Sequence, residues 1–196
     1  MKKITFFIGL TIILMNFKAN GQESRIAIGI KAGVNYSDYF LNKKFKDVSE
    51  ISGEIGYYGG MFINYELSEN YKLHSELLFL LQGKTSTVIY YGFKHKNLEK
   101  TIVLPFLIQY HNKKNMYFEL GPSFAYVIDN NVTIIQPVND FQFDDSDYER
   151  FDLSVSLGLG YKINDKTAIS IRYSLGLIER LDSKSSILNL GLEYKI

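Results

Sequence analysis

The residues with the most chemical potential are ionisable side chains at alternate positions of otherwise apolar segments: Lys31, His74, Glu76, Glu119, Arg172 and Glu193. If the alternation is that of β-strands, all of them project from one face. Carboxylates, cations and a histidine brought together in this way could form a gated ion path or a catalytic site. They could also neutralise one another as a hydrogen-bonded plug, because buried charges have to be paired. We favour the plug, since a barrel of about eight strands encloses only its own side chains.

Hydrolytic chemistry at the rim of such a structure would need a nucleophile and a base close together. Of the histidines, His74 lies low on a strand, His111 adjoins a short turn and His95 falls in a segment that we predict to be a long loop. Only His95 is at the loop end, and no serine–histidine–acid spacing accompanies it. The absence of cysteine excludes a thiolate nucleophile, a thiolate metal site and disulfides. We therefore predict no catalytic residue and no enzymatic activity.

An acidic stretch, DFQFDDSDYERFD, contains Asp140, Asp144, Asp145, Asp147, Glu149 and Asp152. Clustered carboxylates are the ligands that Ca²⁺ prefers. The stretch lacks the central glycine and the closing glutamate of a dedicated calcium loop, so we predict a solvated acidic loop. No phosphate-cradling loop and no zinc-ligand cluster is present in the sequence, and we predict neither a metal nor a cofactor.

The elements that would position these residues are strands, because period-2 alternation dominates the chain. It predicts eight strands, near 25–36, 55–67, 71–84, 99–110, 115–127, 151–163, 167–179 and 186–196. Short connections at 68–70, 112–114 and 164–166, rich in Asn, Asp and Ser, alternate with longer ones near 37–54, 86–98, 128–150 and 179–185. This order predicts an up-and-down meander with every short turn at the same end.

Two eight-stranded barrels fit this pattern: a soluble one with an apolar interior, and a transmembrane one with an apolar exterior. The predicted strands are longer than those of typical soluble proteins, and nine glycines fall on the polar face, where they would make room for long Lys, Arg and Glu chains. Aromatic residues of the apolar face gather near the short turns (Tyr65, Tyr71, Tyr110, Tyr161 and Tyr194) and near the long loops (Tyr36, Tyr57, Tyr126 and Phe151). We therefore predict an all-β fold, an eight-stranded antiparallel up-and-down transmembrane β-barrel.

The N-terminal segment predicts export. Lys2 and Lys3 precede an apolar stretch from Ile4 to Phe17, and Ala19-Asn20-Gly21 has the small-x-small form of a cleavage site. We predict a cleaved signal peptide over 1–21 and a single barrel domain over 22–196. The net charge of +1 gives no argument for a nucleic-acid partner.

The last residues, Asn189-x-Gly191-x-x-Tyr194-x-Ile196, resemble the C-terminal β-signal of bacterial outer-membrane proteins, with Ile in place of the usual final Phe. GIKAGVNYS and ELGPSFAY are similar to segments of the outer-membrane β-barrel family of Bacteroidetes that includes PorT-like proteins.

This resemblance implies an outer-membrane location, contact with outer-membrane lipid, and the barrel-assembly machinery as a partner during biogenesis. We expect a packed scaffold whose extracellular loops present protein- or glycan-binding surfaces. A PorT-like secretion component or a narrow channel is the alternative, and an enzyme with a rim site is a third reading.

Overall fold

A computed structural model describes residues 25–41, 49–88, 93–112, 114–136, 149–180 and 183–196. Its strands are β1 (Ile26–Leu41), β2 (Ser49–Glu66), β3 (Tyr71–Val88), β4 (Phe93–His111), β5 (Met116–Gln136), β6 (Phe151–Lys162), β7 (Thr167–Gly176) and β8 (Ser183–Lys195). Each strand pairs antiparallel with its neighbours in the chain, and β1 pairs with β8 to close the barrel. The predicted all-β, eight-stranded up-and-down barrel is confirmed. Among the described residues, no helix is long and apolar enough to span a membrane.

Alternate residues of the strands face outward and inward as the hydrophobic pattern predicts. Along β6, Leu157 is 59% exposed on the outside while Ser156 beside it is 1% exposed on the inside. Large apolar side chains therefore cover the outer surface, and most inward positions are polar. This is the reverse of a soluble barrel, which would place its apolar face inside.

Along the seam between β1 and β8, inward-facing residues lie opposite inward-facing residues. Gly33 lies opposite Gly191, and Gly29 lies opposite Lys195. The backbone N–H of Ile196 donates to the carbonyl of Ile28 at 3.0 Å, so the ladder continues to the last residue. A Cβ at Gly33 would lie 2.1 Å from the carbonyl oxygen of Leu190, so only glycine fits at this point of the seam.

The short turns use the side chains that their sequences predict. The Asn112 side-chain oxygen accepts hydrogen bonds from the backbone N–H groups of Lys114 and Met116, at 2.8 and 3.1 Å. Asn164 does the same for Lys166 and Thr167. Asn115 has a φ of 62°, a left-handed conformation that asparagine tolerates better than most residues. The turns are therefore built by local side-chain hydrogen bonds.

The predicted long connections are partly wrong, because several strands extend well into them. β1 reaches Leu41, β2 begins at Ser49, β3 reaches Val88, β4 begins at Phe93 and β5 reaches Gln136. These extensions are rich in Ser, Thr, Lys and Asn, so hydrophobic alternation does not reveal them. Their ladders carry polar contacts instead, such as Lys96 with Glu54 at 2.7 Å. Conversely, β7 ends at Gly176, before the predicted end at 179.

Candidate functional site in the barrel lumen

The six ionisable residues that share one face in the sequence meet inside the barrel, and the chain of ion pairs among them starts at Lys31. The Lys31 ammonium lies 2.9 Å from Glu76 Oε1 and 2.8 Å from Glu193 Oε1. The Arg172 guanidinium donates to both oxygens of Glu76, and its Nε donates to Glu119 Oε1 at 2.6 Å. These five side chains come from β1, β3, β5, β7 and β8, and all are buried. We call them, together with His74, the lumen plug.

Two uncharged side chains, Tyr117 and Gln109, extend the lumen plug toward the short turns. The Tyr117 hydroxyl donates to Glu193 at 2.9 Å, and the Gln109 side-chain nitrogen donates to Glu119 at 3.0 Å. His74 has its Nε2 2.6 Å from Glu76 Oε1 and its Nδ1 2.5 Å from Asn64 Oδ1. Each carboxylate in the plug therefore has more than one hydrogen-bond donor, as buried charges require.

His74, Glu76 and Glu193 bring their ligand atoms within 4.8 Å of one another, a spacing that could suit a metal ion. The carboxylates of Glu76 and Glu193 already pair with Lys31, and Glu76 also pairs with Arg172. A cation at this point would face the Lys31 ammonium at close range. The geometry is that of a closed ion-pair network.

An apolar layer lies next to the plug, which the sequence analysis missed. Tyr58, Leu78 and Leu80 are buried inside the barrel and pack with Val103 and Ile187. A run of consecutive apolar residues, LLFLL at 77–81, could have indicated it, because strict alternation places a polar residue at every second position. A cavity of about 40 Å³ adjoins this layer and is lined by both Arg172 and Asp152.

Most glycines of the polar face allow the close approach either of an aromatic lumen side chain or of the backbone of a neighbouring strand. A Cβ at Gly160 would lie 1.9 Å from the Tyr117 ring, and one at Gly191 would lie 2.1 Å from the Tyr58 hydroxyl. The prediction that these glycines make room for long charged chains holds at Gly158, whose Cβ would meet Glu119.

A second polar cluster lies toward the long-loop end. The Arg180 Nε donates to the carbonyl of Glu149 at 2.8 Å, and its Nη2 lies 3.5 Å from Glu99. The Gln82 side-chain nitrogen donates to Glu99 at 2.9 Å, and the Ser185 hydroxyl donates to Asp152 at 2.6 Å. The cluster links β3, β4, β6 and β8 with the segment that precedes β8.

Asp152 lies in β6, as the alternation over 151–163 predicts, and is buried in the lumen, so the prediction of a solvated acidic loop is wrong for this residue. It faces inward because it alternates with Phe151 and Leu153. In the lumen it accepts a hydrogen bond from the Ser185 hydroxyl and lies near the positive charge of Arg180. Glu149 is exposed. Asp140, Asp144, Asp145 and Asp147 lie outside the described residues.

His95 is not in a loop as predicted. It belongs to β4, where it pairs with Ser86 of β3 and Ile134 of β5. The hairpin of β3 and β4 extends past the apolar segment, and this carries His95 into the ladder. Burial and the positive charge of Lys84 lower the pKa of His95.

Two bands of outward aromatic residues mark the limits of the apolar surface. Tyr65, Tyr71, Tyr110, Tyr161 and Tyr194 are 40 to 48% exposed at the short-turn end. Tyr36, Tyr57, Tyr126 and Phe151 are 45 to 61% exposed toward the other end. Bands of this kind sit at the two membrane interfaces of transmembrane barrels, so the membrane-spanning segments run between them.

Residues 18–181 match a family model described as outer membrane protein beta-barrel domain. The chain belongs to this family. As a member of the outer membrane protein beta-barrel family, it is located in the bacterial outer membrane. None of the curated proteins compared with the chain matches it.

Solved structures share the barrel fold at low sequence identity. The neisserial surface protein A, NspA, has a TM-score of 0.56 at 13% identity, covering 86% of this chain and 97% of its own. Ail, the attachment invasion locus protein of Yersinia pestis, has a TM-score of 0.51 at 12% identity, covering 87% and 98%. At such identities the likeness shows the fold alone.

Proposed function

We propose that this outer-membrane barrel is a closed, non-enzymatic scaffold that presents its extended strands and loops to binding partners outside the cell. The observation that carries the proposal is the lumen plug, whose ion pairs join side chains from five strands across the interior.

The interior leaves little room for solutes. Lys31 and Arg172 each contact two carboxylates, so side chains meet from opposite walls of the barrel. The apolar layer of Tyr58, Leu78 and Leu80 follows, and the cluster around Arg180 lies beyond it. An ion crossing the lumen would have to break several charge-assisted hydrogen bonds in succession. This supports closure over conduction.

The extended strands supply the presenting surface. In barrels of this class, short turns lie in the periplasm and longer connections outside, so we expect the start of β1 and the end of β8 on the periplasmic side. β5 continues from Val127 to Gln136 beyond the aromatic band at Tyr126, and β2 starts at Ser49, ahead of Tyr57. With β3 and β4 between them, these strands form a sheet that stands above the membrane. Protein or glycan partners are the expected ligands.

The sheet above the membrane has its own polar contacts. Glu54 of β2 accepts hydrogen bonds from Lys96 of β4 at 2.7 Å and from Thr85 of β3 at 2.6 Å. These hydrogen bonds lower the pKa of Glu54, so its carboxylate stays charged. Contacts that link three strands give the sheet a defined shape, as a binding surface requires.

Conductance in planar bilayers tests closure. We expect the wild-type protein to show no steady single-channel current. A variant in which Lys31, Glu76, Glu119, Arg172 and Glu193 are all replaced by alanine removes the ion pairs of the plug without leaving a carboxylate that has lost its cation, and should show a small conductance. A steady current through the wild type would contradict the proposal.

Partner binding needs a variant that keeps the barrel intact. Replacing residues 85–96, which include the end of β3 and the start of β4, by a short turn should abolish cross-linking to surface partners on intact cells. Migration on gels that changes on heating, the sign of a folded barrel, should persist. Unchanged cross-linking in this variant and in one that shortens β5 would contradict a presenting role for the sheet.

A secretion-associated role of the PorT-like kind remains a prediction. It requires that deletion of the gene impairs export of other proteins, which a comparison of culture supernatants measures.

A further inference from the structure

The mouth of the lumen at the short turns carries an excess of positive charge. Lys72, Lys162 and Lys195 occupy inward positions next to the turns, and Glu66 is the inward carboxylate among them. The Lys72 ammonium pairs with Glu66. In the described part of the chain, the other acidic side chains at the short-turn end are Glu69 and Asp165, which both lie in turns.

The charges of this mouth act on one another. Lys162 lies one residue past Tyr161, outside the membrane-spanning segment, and is partly buried. Burial, together with the positive charges of Lys72 and Lys195, lowers the pKa of Lys162. An anion placed between these ammonium groups would relieve their repulsion and be attracted by all of them.

His111 forms part of the floor of this mouth. It is 8% exposed, and its ring packs against that of Tyr117 with centroids 5.1 Å apart. Its Nε2 lies 3.0 Å from Gln109 Oε1. Because the Gln109 side-chain nitrogen donates to Glu119, Gln109 Oε1 is an acceptor and the His111 Nε2 carries the proton.

The other ring nitrogen of His111 is therefore an acceptor in the neutral ring. His111 lies just past Tyr110, and burial together with the charges of Lys162 and Lys72 lowers its pKa to about 3, which keeps the ring neutral. Its Nδ1 is buried without a hydrogen-bond partner among the described residues. A group bound here would satisfy Nδ1 by donating a proton to it.

We propose that the short-turn mouth of the lumen is a binding site for an oxyanion that carries a hydroxyl group, of which inorganic phosphate is the simplest. Lys72, Lys162 and Lys195 bind the charged oxygens, and the hydroxyl donates to His111 Nδ1. The lumen plug closes the site from above, so the ligand enters and leaves by the same opening. Free phosphate and a phosphate ester that carries a hydroxyl group share this chemistry.

Isothermal titration calorimetry of the full protein in detergent micelles at neutral pH tests the site with phosphate, sulfate and glycerol 3-phosphate. We expect phosphate to bind more tightly than sulfate, which has no hydroxyl at that pH. Whichever of phosphate and glycerol 3-phosphate binds more tightly identifies the source of the ligand. The absence of phosphate binding, or equal affinity for phosphate and sulfate, would overturn the proposal.

Variants separate the two parts of the site. Lys162→Gln should weaken phosphate and sulfate alike by about tenfold, because each loses a charged hydrogen bond. His111→Phe should weaken phosphate alone and so remove the preference over sulfate. Lys166→Gln is the matched control, since this ammonium lies 5.8 Å above the Tyr194 ring on the outside of the barrel. Equal loss in the Lys166 and Lys162 variants, with folding verified by heat-modifiable migration, would contradict the assignment.

Discussion

At the scale of single residues, the lumen is organised by Arg172. Its guanidinium contacts Glu76 and Glu119, and Glu76 also holds Lys31 and His74. Loss of the arginine would leave the buried carboxylate of Glu119 without its cation and would remove one of the cations that pair with Glu76. Loss of a surface lysine would leave a carboxylate that water can solvate. The two kinds of ion pair should therefore differ greatly in their effect on stability.

We expect Arg172→Met to lower the free energy of unfolding by about 3–5 kcal/mol, the usual cost of breaking a buried pair. Lys96→Ala, which breaks the partly exposed pair with Glu54, should cost about 1 kcal/mol or less. Urea unfolding in lipid vesicles measures both. Replacing Arg172 together with Glu76 and Glu119 by neutral residues should lower the free energy of unfolding by less than Arg172→Met alone. A larger loss would show that the unpaired buried charge is not the main cause of the destabilisation.

At the scale of elements, closure depends on backbone contact between β1 and β8. Gly33 faces Gly191 across the seam, and a Cβ at Gly33 would strike the Leu190 backbone. Backbone atoms of a ladder cannot move aside as a flexible side chain can. The seam thus requires glycine for a reason that is visible only once the register is known.

We expect Gly33→Ala to reduce sharply the fraction of protein that folds into the heat-modifiable form. Gly59→Ala is the control, since its Cβ would have no neighbour closer than 3.8 Å and should be tolerated. Quantitative gel analysis after refolding in detergent gives the folded fraction. Equal yields for the two variants would mean that the seam can widen.

The end of β8 offers a second test of the seam. Deleting Tyr194, Lys195 and Ile196 removes the backbone hydrogen bonds from Lys195 to Lys166 and from Ile196 to Ile28. Assembly in cells should fall, while Ile196→Phe, which keeps the backbone, should assemble normally. Immunoblotting of outer-membrane fractions compares the two, and normal insertion of the truncated chain would contradict this expectation.

At the scale of the whole molecule, the barrel has an apolar outer surface and a charged interior, which is the reverse of a soluble protein. Leu157 lies in β6 between Phe151 and Tyr161, near the middle of the membrane, and is 59% exposed. We expect Leu157→Arg to destabilise the protein in bilayers by about 2–4 kcal/mol. Leu67→Arg, at the short-turn rim, should cost about 0–1 kcal/mol. Similar costs for the two, measured by unfolding in vesicles, would argue against the membrane placement.

Much of this architecture could be predicted from the sequence, because side-chain alternation reports directly on the inner and outer faces of a strand. Lys31 and Arg172 lie far apart in the chain, yet parity alone predicts that they share the lumen. The upper parts of β3 and β4 could not be predicted, since Thr85 and Lys96 extend the ladder with polar residues that resemble a loop. The burial of Leu78 and Leu80 could not be predicted from alternation, because apolar residues on both faces of the strand remove the period-2 pattern. The partners of each charge depend on strand register, which alternation does not determine.

The pairing of β1 with β8 has a consequence for how the protein is made. Because the barrel closes by pairing β1 with β8, one edge of β1 has no hydrogen-bonded partner until β8 is in place. Folding therefore cannot be completed strand by strand during synthesis, and contacts between distant parts of the chain form late. Until then the chain has two open edges and an unshielded apolar face, both prone to aggregation. The cell must keep each newly made copy in a protected, unfinished state until every strand has reached the membrane.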